Sequence, residues 1–361
     1  MDDSQILEHS STYVNYTLFD VNWVPSSPRL AVCGSTLAGE GTLRVYSLAG
    51  QVGGWWVVVM SCKMSIFLQG LSEVGSATRS KAVRCGTFRS SSLEERFFCT
   101  GDFGGNVAVW DLEELGGPVE EVVGHMDMIN CITGSQGDGG QLITGSRDGL
   151  VKVWDRRNIR TSTVTMEGDE RRDCWAVATL EGGEYVAAGY SNGDVRVFDM
   201  KAGKVYWETS LPQGVTSLQF TGSKGEKLDM LLASTLGGGM AIWDMQTRHK
   251  VQGYTRTDLR LEKTTVWSAK SAPQDEGLIL TSMGSGAVEL VRYKEPGHRV
   301  MIGGDGCNVG TPGEFLKGLT KQLTDKPVTS SDWSMDKAGL VVTSSFDQNI
   351  RILIVTGVKQ M

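Results

Sequence analysis

One twelve-residue pattern sets what this chain can fold into. Thr144–Asp155 reads TGSRDGLVKVWD: a short strand, a tight turn at Arg147-Asp148-Gly149, and an apolar strand ending in Trp-Asp. Asp and Gly tolerate the backbone angles of a two-strand reversal, which places the turn there. The pattern returns without a gap at Thr100–Asp111, Ala188–Asp199 and Ala233–Asp244. Degraded copies stand at Thr281–Arg292 and Thr343–Ile354, and a first copy, Cys33–Ser47, carries extra turn residues. The position of Trp154 recurs as Trp110, Phe198 and Trp243, with spacings of 44, 44 and 45 residues along the chain. A period of about 40–45 residues belongs to four-stranded propeller blades. Length alone would suggest two or three domains of roughly 100–200 residues. Seven blades instead use nearly all of the 361 residues. The chain is therefore expected to be one all-β unit over 1–361, a closed seven-bladed β-propeller.

Gly124-His125 stands nineteen residues ahead of Thr144, and a Gly-His pair before such a Trp-Asp marks a WD-type blade. His125, Asp148, Trp154 and either Thr144 or Ser146 are expected to form one buried polar network that stiffens the blade. Only the third copy has the full set, since Gly104 replaces the Asp in the second. A His–Ser–Asp set also suggests a hydrolase triad. Here, however, the residues occupy repeat positions and the hydroxyl sits within a strand. Gly189–Gly193 fits the G-x-S-x-G elbow, but a strand follows it where an elbow needs a helix. There is no phosphate-binding loop, no dinucleotide fingerprint and no H-E-x-x-H, and the four His have no metal-ligand spacing. The expectation is a non-enzymatic protein without catalytic, cofactor or metal residues.

The net charge of −7, with no polybasic run, argues against a general nucleic-acid binder. The opening MDDSQILEHS lacks the apolar centre of a secretory signal. Seven Cys, an odd number without a C-x-x-C, read as buried reduced thiols of a cytosolic protein.

Short β-branched and aromatic runs precede each copy and read as inner strands: Leu18–Val24, Val83–Phe88, Ile129–Thr133, Cys174–Ala178, Val215–Phe220, Thr265–Ala269 and Val328–Trp333. The last copy has no outer strand after it, so Gln5–Ser11 is expected to pair there and close the ring. Two intervals are too long. Residues 294–327 read as a long connection between the sixth and seventh blades, with Phe315, Leu316, Leu319 and Leu323 on one side of a short helix over Glu314–Leu323. Residues 52–69, VGGWWVVVMSCKMSIFLQ, lie in the first long interval and read as a non-blade insertion, leaving Leu71–Val74 or nearby residues to supply the outer strand. They are too short and too interrupted by Lys63 and Gln69 to span a membrane. Two origins stay open for them: a lineage-specific insertion, or translated intron, which the GT-rich coding possibilities of Val-Gly-Gly-Trp-Trp favour.

With chemistry set aside, surface remains. Phe103, Arg147, Phe346 and the loop residues Arg171 and Arg172 are expected on one face, as a rim for protein partners.

Pieces outside the repeat consensus are more specific: Cys85-Gly86-Thr87-Phe88, Arg172-Asp173-Cys174-Trp175 and Ser344-Ser345-Phe346-Asp347-Gln348, with Asn15-Tyr16-Thr17 and Trp207-Glu208-Thr209. Together with the repeats they resemble the Monad family of WD-repeat proteins, linked to axonemal dynein assembly. That resemblance implies a cytoplasmic scaffold, also associated with cilia or flagella and monomeric on its own. Its implied partners are a prefoldin-like co-chaperone assembly with RuvB-like ATPases and TPR subunits, and axonemal dynein heavy chains. A second reading comes from Trp154-Asp155-Arg156-Arg157, which fits the W-D-x-R pattern of substrate receptors of cullin-RING ubiquitin ligases.

Overall fold

The computed structural model describes residues 4–48, 70–135, 140–167, 172–222, 227–249, 253–261, 264–302 and 308–358. Middle strands such as Gln141–Ser146 and Leu150–Asp155 are apolar on both faces because a blade lies against each face. Leu142, Ile143, Val151 and Val153 are all buried. Each such side chain contributes about 1.5–3 kcal/mol over an exposed one. Outer strands such as Lys204–Ser210 face water for much of their length and alternate instead.

Seven four-stranded antiparallel sheets result, numbered here as blades one to seven in the order of their inner strands. Those inner strands are Thr17–Trp23, Val83–Thr87, Ile129–Ser135, Cys174–Thr179, Val215–Thr221, Val266–Ala272 and Val328–Trp333. Each packs beside the next, and the seventh returns to the first. The core is a set of inter-blade clusters. One joins Ile143, Val151 and Val153 of blade three to Val177, Val186 and Phe198 of blade four. Another joins Leu30 and Val32 of blade one to Val342, Ile350 and Ile352 of blade seven.

The ring closes as its sequence demands. Ile6–Tyr13 pairs antiparallel with Asn349–Val355, from Ile6 opposite Val355 to Tyr13 opposite Asn349, with one bulge between Glu8 and Ser10. The Gln5 N–H donates to Thr356 Oγ1 at 2.9 Å, and the Thr356 N–H returns to the Gln5 carbonyl at 2.9 Å. The outer strand of blade one is Ser72–Arg79, which overlaps Leu71–Val74 and runs five residues beyond it. Residues 52–69 lie outside the described residues.

Blade six corrects the sequence reading. Glu314–Gln322 is not a helix but that blade's outer strand, paired with Ala287–Lys294. Phe315, Leu316, Leu319 and Leu323 look helically spaced because a bulge between Glu289 and Val291 shifts the alternation halfway along. Phe315 and Leu323 thereby turn inward on either side of the shift, Phe315 edge-on to Tyr293 at 5.3 Å, while Leu316 and Leu319 stay exposed. The stretch 294–327 is thus only partly a connection. It also holds a small hairpin, Val300–Ile302 with Asn308–Gly310. Arg299 ties the hairpin to blade five through Asp229 and, at 3.8 Å, Asp244.

Among the described residues there is no helix. Cys33, Cys85, Cys99, Cys131 and Cys174 are free thiols. Burial pushes the Cys99 thiol up to about 11. Cys62 and Cys307 lie outside the described residues.

Candidate functional site

The blade topology puts the turn between second and third strands at the same end as the loop entering the next inner strand. Backbone hydrogen bonds lock the two together. The first turn residue donates its N–H to the carbonyl just before its own inner strand: Phe103 to Ala82 at 2.9 Å, Arg147 to Met128 at 3.0 Å and Phe346 to Pro327 at 2.9 Å. The third turn residue accepts from the chain leaving an outer strand, as Gly105 does from Gly124 and Gly193 from Leu211. That residue is left-handed, with φ of 78° at Gly105 and 97° at Gly193, and a Cβ at Gly193 would stand 2.1 Å from the Leu211 carbonyl. Gln348 takes the same conformation in blade seven with φ of 64°, and its Oε1 accepts from the Tyr13 hydroxyl at 2.8 Å.

Within blade three the polar set is one directed chain. Trp154 Nε1–H donates to Thr144 Oγ1 at 2.9 Å. Thr144 Oγ1 meets His125 Nε2 at 2.8 Å, and His125 Nδ1 meets Asp148 Oδ2 at 3.0 Å. The neutral Nδ1–H tautomer satisfies every group along it. Burial alone would raise the Asp148 carboxyl, but His125 and the N–H groups of Leu150 and Met126 hold it down at about 2. Ser146 stands outside the chain; its Oγ donates to the Asp127 carbonyl at 3.2 Å and accepts the Asp148 N–H at 3.1 Å. No hydroxyl here has the position of an activated nucleophile, since Thr144 is 0 % exposed and Ser146 serves the turn. Ser191, in the G-x-S-x-G match, precedes the strand Asp194–Asp199.

Other blades keep parts of this arrangement. In blade two Trp110 Nε1 still donates to Thr100 Oγ1 at 2.9 Å, while Asp102 caps the turn through the N–H groups of Gly104 and Asn106, each at 2.8 Å. In blade seven Arg351 reaches Asp347, so an Arg–Asp pair stands where blade three has His–Asp. Blade four has Ala188 and Phe198 at the Thr and Trp positions, losing acceptor and donor together.

Phe103, Arg147, Arg172 and Phe346 all stand on this turn-bearing face; Arg171 lies outside the described residues. Arg147 sits between two carboxylates, 3.9 Å from both Asp127 and Asp173. Arg172 pairs with Asp194 at 3.3 Å.

Sequence reasoning missed the residues that join these into a surface. Each inner strand slips register near its start, from Leu18/Asp20 in blade one to Val328/Ser330 in blade seven. The skipped residues, Phe19, Arg84, Asn130, Trp175, Thr216, Trp267 and Thr329, are all half-buried. Asn130 Nδ2 donates to the Cys174 carbonyl of the next blade at 3.0 Å, and Thr216 Oγ1 likewise reaches the Val266 carbonyl. Phe19 has no such bond to give and gathers aromatic neighbours. Its ring centroid is 5.4 Å from that of Phe103 and 6.5 Å from that of Phe346. The Arg84 guanidinium lies over it at 5.6 Å. The signal was present in the sequence, since each skipped residue follows the first apolar residue of an inner-strand run.

Trp154-Asp155-Arg156-Arg157 turns back on the opposite face. Arg157 Nη2 pairs with Asp155 at 3.2 Å, and Arg156 pairs with Glu95 while lying 5.3 Å over the Phe97 ring.

Residues 116–155, from ahead of blade two's outer strand to the Trp-Asp of blade three, match the family model "WD domain, G-beta repeat". With seven closed blades and the His–Thr–Trp–Asp chain, the molecule is a WD-repeat β-propeller. It is 38 % identical over 378 residues to dynein axonemal assembly factor 10 of Xenopus laevis, covering 100 % of this chain and 99 % of that protein. Against the Homo sapiens protein of that name it is 38 % identical over 366 residues, covering 98 % and 97 %. Against that of Chlamydomonas reinhardtii it is 33 % identical over 365 residues, again covering 98 % and 97 %. The chain belongs to the dynein axonemal assembly factor 10 family. Monad is another name for that factor, so the resemblance carried by CGTF, RDCW and SSFDQ identified the family.

Proposed function

We propose that this protein is a cytoplasmic, non-enzymatic scaffold that brings a chaperone machine to axonemal dynein heavy chains before their transport into cilia. The machine is a prefoldin-like co-chaperone assembly with RuvB-like ATPases and TPR subunits. The observation that carries the reading is full-length similarity to dynein axonemal assembly factor 10 from animals and a green alga. The physical mechanism is modest. A rigid ring holds several loops at fixed geometry, so two proteins bound to it meet at raised effective concentration without any chemistry. Phe103, Arg147, Arg171, Arg172 and Phe346 are the candidate contacts, Arg and aromatic residues being enriched at interface hot spots.

Affinity purification of the full chain from ciliated cells tests this. RuvB-like ATPases and dynein heavy chains should co-purify. A cullin-RING adaptor in their place would favour the receptor reading, which rests on the four-residue Trp154–Arg157 pattern alone. Arg172→Glu, which also sets a second carboxylate beside Asp194, should weaken partner binding by more than about 1 kcal/mol while the ring stays folded.

A further inference from the structure

Arg84 is a charged group in an unusual position. It sits on the register slip of blade two, half-buried, with its guanidinium carbon over the Phe19 ring of blade one, 5.6 Å from the centroid. Among the described residues no carboxylate lies within ion-pair reach of it. Arg147 and Arg172 on the same face both have Asp partners. Asp20, beside Phe19, already accepts from Gly86 N at 3.0 Å, Val21 N at 3.0 Å, Asn22 Nδ2 at 3.2 Å and Ser330 Oγ at 2.6 Å. The fork of Arg84 donors thus finds no carboxylate among the described residues and is open to one from a partner.

Phe103 and Phe346 flank the same spot, 39 % and 42 % exposed. Both rings are braced on Phe19, and both backbones are locked by the turn hydrogen bonds described above. Two rigid, half-covered aromatic rings beside a guanidinium with no carboxylate partner among the described residues make a compound site. A carboxylate would take the fork bidentately, and an adjoining apolar side chain would cover the rings. The rest of the molecule does not favour such a ligand, because the chain carries a net charge of −7. Attraction for an acidic segment must therefore be local to Arg84.

We propose that the turn-bearing face at the junction of blades seven, one and two binds an extended segment of a partner protein in which an Asp or Glu adjoins a large apolar residue. Arg84 holds the carboxylate; Phe19, Phe103 and Phe346 hold the apolar side chain. The proposal rests on the scaffold reading and gives its partner segment a chemistry.

The test is selection of displayed random twelve-residue peptides on the immobilised full chain. Selected peptides should share an acidic residue within two positions of Phe, Leu, Trp or Met. Their Kd, measured by fluorescence anisotropy, should rise about tenfold or more with Arg84→Gln, less with Arg84→Lys, and about tenfold with Phe103→Ser. Circular dichroism and melting of each variant check the fold. Phe103→Ser alters an exposed turn and serves should Arg84→Gln fail to fold. Failure to enrich any peptide, a consensus without the acid, or affinity unchanged in Arg84→Gln or Phe103→Ser would overturn the proposal. Dynein heavy chains still co-purifying with the wild type in that event would leave the scaffold reading intact, so the two fail separately.

Discussion

Thr144→Val isolates the polar chain of blade three. Val keeps the shape of Thr and removes a single hydroxyl. That hydroxyl accepts from Trp154 Nε1–H and meets His125 Nε2, at 2.9 and 2.8 Å. Water cannot replace it, since Thr144 is 0 % exposed and Trp154 and His125 are each 2 % exposed. The substitution therefore orphans two buried polar atoms. Each orphan costs about 1–3 kcal/mol, so the loss should be about 2–6 kcal/mol. On a Trp154→Phe background only His125 is orphaned, and the cost of Thr144→Val should fall to about 1–3 kcal/mol. Blade four supports the direction, having Ala188 and Phe198 in place of both groups. Urea denaturation at neutral pH, followed by far-ultraviolet circular dichroism, gives all four corners of the cycle. A cost of Thr144→Val below about 0.5 kcal/mol, or strict additivity with Trp154→Phe, would refute the reasoning.

Removing residues 1–13 deletes the strand opposite Asn349–Val355 and bares an edge, so the protein should melt lower and aggregate; an unchanged melting temperature would mean another segment closes the ring. Asp148 has a folded pKa of about 2, below its usual 3.8, so its stabilisation is fully present above about pH 4 and lost as pH falls toward 2. Asp347, held below the ordinary range by Arg351 and Ser345 despite burial, adds loss in the same direction. Asp148→Asn should flatten the pH dependence of stability in that window, measured by denaturation at stepped pH. Arg299→Met removes a cation facing the buried carboxylates of Asp229 and Asp244, and should cost about 2 kcal/mol or more and speed hydrogen exchange at 300–302; unchanged exchange would mean the hairpin is held otherwise.

Much of this fold was legible because a propeller writes the same local problem seven times. The left-handed turn glycine and the apolar third strand each repeat at fixed offsets, so even the seventh copy, without its Trp-Asp, is found by position. Ring closure was legible by elimination, since the last copy had no fourth strand of its own. Glu314–Gln322 was not, because a bulge breaks strand alternation and leaves spacing like that of a helix. The blade-three chain was legible to within one choice: Thr144 and Ser146 lie two apart in one strand, on the same face, and only packing decides which meets His125. The Phe19–Arg84 cluster was hidden because its members come from blades one, two and seven, and no local pattern links them. Phe103 and Phe346 were visible as turn residues; the Phe19 ring that each packs against was not.

The clasp between Ile6–Tyr13 and Asn349–Val355 has a temporal side. The ribosome releases one half of that sheet more than 330 residues before the other. At about 5–20 residues per second, the interval is tens of seconds. Through it the first strand has no partner, and the growing arc carries an unfinished apolar face at each end: Leu30 and Val32 on blade one, then Leu278 and Leu280 on blade six. Local strand pairing cannot cover these faces, because their complement lies on blade seven, made after blades one to six. A protein of a family named for dynein assembly is thus itself, while nascent, an open ring with two sticky ends, and its yield of closed rings should depend on what shields them until the final blade arrives.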